Sequence, residues 1–449
     1  MSTENLNTET RNWSSIQKFL FRLLFVFIVI QALPLDWKYF ASLKNLLPGL
    51  HYGDIFNIAH YYPTWLGTVP SFGDWALFLG FALISAFAWT FAEKQPRFNY
   101  DNLYYWLRVI ARYRLAIALL GYGFIKFFPL QAPFPSISNL NTEYGFFTRW
   151  KLFGLSLGIV PSYESFLGGV EIVLALFLLY RKTASLAAFV VIVFAGNVFM
   201  SNIAYEGGEI VYSLFLIGLA FFVLAYDLQR IINLIILQKP TAPNRFKPAF
   251  FSGWKRTGRL VAKLAVIFFF VILYGFKTQS GYVHDKFQYP ATPGLSGYAG
   301  LYNVNTYVQN RDTLAYSDTD PVRWSDVVFE NWNTLSIRSN RPVIIDSNNT
   351  DRFSRIDQDR SFEYEGSIGR HYYSYVADTL NQTLTLHNRN KHYENETLKL
   401  NYERKNDSLI VLSGTSYDNQ PVYAELQKVN KKYLLEEVAK RGRRKSFKL

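Results

Sequence analysis

The sequence predicts a membrane all-α helical bundle of about seven spans, followed by an all-β barrel or sandwich domain. Three observations carry this. Long apolar runs fill the first part of the chain, four of them in close succession at 106–128, 165–180, 183–200 and 209–225. Each is near the ~20 residues that a helix needs to cross ~30 Å of hydrocarbon. The charge pattern then changes: 24 Lys/Arg against 14 Asp/Glu up to Asp285, clustered between the runs, but 23 against 20 from Lys286 onward, evenly spread. Short β-branched and aromatic segments with period-two alternation occupy the second region. A mean hydropathy of +0.02 conceals the contrast between the halves.

The first span covers 19–33, preceded by Arg11, Lys18 and Arg22 and stopped by Pro34. Residues 34–73 read as a long loop whose Trp37, Tyr39, Tyr61, Tyr62 and Trp65 suit the headgroup region. A second span covers 75–92, and a linker at 93–101 leads into the four runs. Residues 227–237 read as a helical extension or an interfacial helix, 239–259 as a basic segment, and 260–274 as the last span. This gives four parts: 1–105, a two-span segment with a long loop; 106–237, a four-helix core; 238–285, a basic loop and last span; and 286–449, a β domain.

Charge tests the count. Segments assigned to one side of the membrane carry 18 Lys/Arg, and those on the other carry Lys38, Lys44, Lys126, Arg149, Lys151 and Lys277. The alternation follows the positive-inside rule, with a cytoplasmic amino terminus and an outer β domain. The net charge of +13 is thereby spent on topology, and no basic stripe on a folded domain suggests nucleic acid. The lack of cysteine excludes disulfides, thiolate ligands and thiol catalysis, and fits a bacterial envelope protein; the expected location is the bacterial inner membrane. Residues 1–15 are polar without a cleavage pattern, so the first run reads as an anchor.

In the outer domain, 303–308, 372–377, 383–387, 398–402, 409–412 and 422–426 are the expected strands. Turns at 378–381, 406–407, 418–419 and 430–431 separate them, which favours an antiparallel meander. Residues 440–449 form a basic tail.

Orientation turns position into depth. Lys126 ends the third span on the outer side. Glu171 lies one to two turns inside the fourth, and Asn197 and Glu209 arrive at the same level, with Tyr122 and Tyr205 nearby. A charge in hydrocarbon normally faces the bundle interior and finds a partner, which for Glu171 is Lys126. These six residues are the candidate ligand-binding set. The alternative is an ion pair that merely fixes helix register. Glu209 alone reads as a helix cap, Gly168-Gly169 as a close-packing site, and Arg112 and Arg114 as inner-side topology and headgroup anchors. No histidine lies in a span, so haem ligation there is disfavoured. His51 and His60 read as solvated loop residues, and no metal set or catalytic motif is evident.

The stretch Gly121-Tyr122-Gly123-Phe124-Ile125-Lys126-Phe127-Phe128-Pro129 resembles the end of the first helix of the DoxX family. Residues 163–179, with Glu171, resemble its next helix; Arg181-Lys182-Thr183 its basic turn; and 197–213, with Tyr205, the segment joining its last helices. DoxX-like proteins of Bacteroidetes carry a comparable β domain. The resemblance implies a four-helix membrane core and, for some members, quinone-coupled oxidation such as thiosulfate:quinone oxidoreductase. The missing cysteines exclude a thiol relay, and the extra spans depart from the minimal pattern. Gly300-Leu301-Tyr302 followed by Arg323-Trp324 is similar to lipocalin-like barrels. The leading expectation is a quinone- or lipid-sized ligand bound near the outer leaflet, with a periplasmic or redox protein partner for the β domain. Two alternatives stand beside it: a membrane-anchored binder whose barrel holds an apolar ligand, and an enzyme resembling the vitamin-K-dependent carboxylase group, with Lys126 as base.

Overall fold

The computed structural model describes residues 13–35, 39–40, 49–93, 99–242, 253–285, 288–346 and 353–441. Trp37 and the tail beyond Arg441 lie outside the described residues. The chain forms two units. One comprises the chain up to Phe128 together with Phe166–Ser280, and the other Pro129–Ser165 together with the chain from Gly281. The four-part sequence division differs on two points: the two-span segment and four-helix core form one unit, and the 129–165 connection belongs with the strands.

In chain order the helices are α1 (Ser15–Ala32), α2 (Tyr52–Ala59), α3 (Phe72–Ala92), α4 (Tyr100–Phe127), α5 (Ile137–Leu140), α6 (Arg149–Gly158), α7 (Pro161–Leu179), α8 (Ala184–Ala204), α9 (Ile210–Ala225), α10 (Leu228–Ile231), α11 (Gly253–His284) and α12 (Leu434–Arg441). Among the described residues, α1, α3, α7, α8 and α11 are long and apolar enough to cross a membrane. A sixth span results if α9 and the segment Leu228–Ile236, bent by 68°, count as one. The difference from seven lies in α4, whose 28 residues rise ~42 Å at ~1.5 Å each but carry Arg108, Arg112, Arg114 and Lys126. All three arginines are buried. Arg108 donates to the Val223 carbonyl (3.3 Å) and to Ser185 (2.9 Å), and pairs with Asp227 (3.4 Å).

The expected long loop contains α2, which the sequence reading missed. His51 Nδ1 accepts from Gly53 N–H (3.0 Å) while the Asp54 carboxylate accepts from His51 N–H (2.8 Å). These bonds satisfy donors that a helix start leaves open. Tyr52, Ile55, Phe56 and Ala59 are buried. Asp74, in the first turn of α3, accepts from the N–H groups of Trp65 (2.7 Å), Leu66 (2.9 Å) and Ser71 (3.1 Å). Three backbone donors of the non-helical stretch after α2 are thus satisfied by one carboxylate.

The second unit is built on an antiparallel sheet of β1 (Gly300–Gln309), β2 (Asp312–Thr313), β3 (Asp326–Phe329), β4 (Thr334–Arg338), β5 (His371–Asp378), β6 (Thr383–Asn388), β7 (Thr397–Arg404), β8 (Leu409–Thr415) and β9 (Pro421–Lys428). Neighbours pair in the order β2-β1-β3-β4-β5-β6-β7-β8-β9, and β9 returns to β1. The result is a closed eight-stranded barrel with β2 as an appendage, so the open choice between barrel and sandwich falls to the barrel. Closure gives each of the eight barrel strands a partner on both sides. All six expected strand segments lie in strands. The missed β3 and β4 are buried along nearly their whole length, so they lack the period-two pattern that marks a half-exposed strand. Tyr302, Trp324, Phe329, Tyr375, Leu386, Leu412 and their neighbours fill the barrel.

Candidate functional site

Glycine sets the geometry of the first unit. A Cβ at Gly168 would collide with the backbone N of Phe127 and the carbonyl of Gly123, and one at Gly123 would meet Ile172 Cγ1 at 2.9 Å. Helices α4 and α7 therefore touch through backbone, as small residues allow. This contact brings Lys126 Nζ to 2.6 Å from Glu171 Oε1. The carboxylate is 4 % exposed and the lysine side chain 14 %. Glu171 Oε2 is buried with no hydrogen-bond donor among the described residues. The ammonium also lies 5.1 Å from the centre of the Tyr122 ring, a cation–π contact that strengthens when desolvated.

Tyr122 links this pair to a second one. Its ring stands edge-on to Phe56 (5.3 Å, 87°) and His60 (5.4 Å, 90°). His60 stacks on Phe56 (5.3 Å, 13°) and lies 4.3 Å from the Tyr212 ring. Its Nε2 is 3.1 Å from Glu209 Oε2. Glu209 occupies the N-cap position of α9, yet its side chain makes no capping bond; the capping expectation is replaced by the contact to His60. The Glu209 N–H donates instead to Asn202 Oδ1 (3.0 Å). Arg114 donates to the Ala59 carbonyl (2.9 Å), to the Tyr61 carbonyl, and to Tyr212 OH (3.4 Å). It therefore ties down the carbonyl end of α2, where a cation also complements the helix dipole, rather than serving as a headgroup anchor.

Of the six sequence candidates, Lys126, Glu171, Tyr122 and Glu209 belong to this connected set. Asn197 is exposed on α8, with its carbonyl accepting from Ser201 Oγ (3.0 Å). Tyr205 ends α8, its N–H bonded to Ser201 O (2.9 Å) and its side chain 40 % exposed. His60, Tyr212 and Arg114 were not foreseen. The run from His51 to His60 held a usable signal: His51 and Asp54 at capping spacing, then apolar Ile55, Phe56 and Ala59 on one helical face. His51 and His60, expected as solvated, are a helix cap and a packed ring. Among the described residues no group of three or more metal-ligating side chains is placed to hold an ion.

The second unit holds a separate buried polar assembly. The Glu330 carboxylate accepts from the N–H groups of Ile137 (3.1 Å) and Ser138 (2.7 Å) and from Ser138 Oγ (2.6 Å), capping α5 against the barrel wall. Glu363 pairs with Arg389 and accepts from Trp332 Nε1 (2.5 Å), and Lys151 on α6 donates to the Phe362 carbonyl. Burial, then the charge of Glu363, pushes Glu330 up to about 7. Burial pushes Lys151 down to about 7. Ser138 Oγ also lies 2.7 Å from Ser336 Oγ on β4, so the 129–165 segment lies against that strand, and β3 and β4 are both buried.

No known family model, characterised protein or solved structure matches the chain. Chemically, the site in the first unit offers an ammonium with further donor capacity beside a carboxylate oxygen with an open lone pair. The His60–Glu209 pair stands one aromatic ring away. That combination suits a ligand head carrying a carbonyl or hydroxyl.

Proposed function

We propose that the chain is a DoxX-like protein of a bacterial inner membrane that binds the head of a quinone- or lipid-sized molecule at Lys126 and Glu171. The observation that carries this reading is the ion pair itself, set in apolar helices with one carboxylate oxygen left open. A charge in hydrocarbon costs at least ~2.5 kcal/mol and is usually retained for function. Tyr122, His60 and Glu209 line the approach. Helix α4 is the seventh span, with Arg108 and Arg114 compensated by internal partners. The amino terminus is then cytoplasmic and the barrel periplasmic, where it meets a redox or envelope partner. The barrel interior is filled by its own side chains, which disfavours an apolar ligand inside it.

The test is purification of the protein in native lipid and mass spectrometry of what accompanies it. Wild type is expected to carry a quinone or a specific lipid in near-stoichiometric amount, and Glu171→Gln and Lys126→Met to lose it while still inserting. Equal ligand content in all three proteins would reduce the pair to a helix-register device.

A further inference from the structure

One buried cation on α4 lacks a counter-charge among the described residues. Arg22 pairs with Glu93, Arg108 with Asp227, and Arg114 donates to the carbonyls of Ala59 and Tyr61. Arg112 is just as buried, at 7 % exposed, yet no carboxylate is placed to pair with it. Its Nε is buried without an acceptor. Its hydrogen-bonding neighbour is the Tyr113 hydroxyl, and the Tyr113 ring centre lies 5.5 Å from the guanidinium carbon. A phenol occupies part of a five-donor guanidinium, but it supplies no negative charge.

The surroundings deepen the deficit. Arg108 stands one helical turn earlier, on the same face of α4, and adds its own positive field at Arg112. Arg108 and Arg230 share the one carboxylate of Asp227, at 3.4 and 2.9 Å. Arg181, which follows α7, also acts on Arg108. An ionisable group held inside apolar helices normally finds a partner, and a buried cation without one is costly to keep. For Arg112 that partner comes from outside the chain.

The planar guanidinium fork matches an oxyanion of phosphate in shape and charge. Depth points to where such an anion is found. Arg112 lies fourteen residues before Lys126 on α4, which is ~21 Å at ~1.5 Å of rise per residue. If Lys126 is near the outer surface, that distance carries Arg112 towards the inner edge of a ~30 Å hydrocarbon layer. Lipid phosphates begin there, and basic pockets between helices on that side bind anionic headgroups.

We infer that Arg112, beside Arg108 and Tyr113, is a binding site for a phosphate-ester anion, supplied by an anionic phospholipid of the inner leaflet. The phosphate chemistry stands on the burial of Arg112 alone; the lipid source rests on reading α4 as a span.

Native mass spectrometry of the full chain in a neutral detergent tests this. The protein is titrated with phosphatidylglycerol, with diacylglycerol of the same acyl chains, and with inorganic phosphate. Retention of phosphatidylglycerol over diacylglycerol is expected. Arg112→Met should weaken it at least about tenfold, the loss expected when hydrogen bonds to a charged group disappear. Arg112→Lys keeps the charge without the fork and should fall between the two; it decides the matter should Arg112→Met fail to fold. Binding of inorganic phosphate that is lost in Arg112→Met, without preference between the lipids, would keep the phosphate chemistry and overturn the lipid source. Two results overturn the whole proposal: no preference between the lipids together with no phosphate binding, or unchanged phosphatidylglycerol affinity in folded Arg112→Met. Glu171→Gln, run in the same titration, separates the two sites. Phosphatidylglycerol lost in that variant but kept in Arg112→Met would seat the lipid at Lys126 and Glu171, overturning this inference and leaving the outer site standing.

Discussion

His60 Nε2 and Glu209 Oε2 lie 3.1 Å apart, joining the end of α2 to the start of α9 across 149 residues of sequence. The contact turns a loop histidine into part of the helical unit. His60→Phe preserves the ring between Phe56 and Tyr212 but leaves Glu209 half-buried without that partner. The expected cost is ~1–3 kcal/mol, read as a lower Tm in detergent. A double-mutant cycle with Glu209→Gln should return a coupling of ~0.5–3 kcal/mol. Additive single effects would mean that the pair contributes nothing beyond proximity.

The Lys126–Glu171 pair predicts a marked asymmetry between its variants. Lys126→Met leaves a carboxylate buried without its cation and should destabilise by ~3–5 kcal/mol. Lys126→Met combined with Glu171→Leu removes both charges and should recover most of that loss, because apolar replacements of a buried pair are often neutral. Thermal unfolding of the three proteins in one detergent measures this. A double variant as unstable as Lys126→Met would show that the pair contributes more than the cancellation of two charges.

Two adjacent glycines on α7 should respond differently to the same methyl group. At Gly168 a Cβ meets backbone atoms of Phe127 and Gly123, which no rotamer change can relieve, whereas at Gly169 it meets only the Phe127 ring at 3.8 and 3.9 Å. Gly168→Ala should force α4 and α7 apart and cost ~1–3 kcal/mol or more. Gly169→Ala should be neutral or stabilising, since alanine is favoured over glycine in a helix by ~0.8–1.0 kcal/mol. Unfolding midpoints of the two variants separate these outcomes.

The pairing of Lys126 with Glu171 was legible because a carboxylate inside an apolar helix has few options, and Lys126 ends the neighbouring apolar run. The barrel strands that alternate were legible for an equally local reason. What escaped was long-range covering. Strands β3 and β4 lack alternation because both are buried, β4 against the 129–165 segment, far away in sequence. Helix α2 was hidden by its short length and its histidines, whose role depends on Gly53, Asp54 and Glu209 rather than on composition. Asn197, expected beside this pair, lies on the exposed side of its helix, a distinction that position along a span does not make.

The clasp around Glu330 predicts a pH dependence whose sign can be fixed. Its carboxyl rises from an ordinary 4.5 to about 7 in the folded unit because it is buried beside Glu363. The folded state therefore holds this proton more tightly, so the stability it lends is complete below pH 4.5 and lost as pH climbs to about 7. Lys151 falls from 10.5 to about 7 by burial, so its contribution is complete above pH 10.5 and lost as pH drops towards 7. Together they place a local minimum of stability near neutrality. Glu330→Gln keeps an acceptor for Ser138 and removes the charge beside Glu363. It should flatten the acid limb, and at pH 8 match or exceed wild type by on the order of 2 kcal/mol. Denaturant unfolding of both proteins from pH 4.5 to 10 measures the two limbs. A wild-type curve that rises steadily from pH 4.5 to 7 would mean that Glu330 is ionised in the fold and held by its bonds to α5.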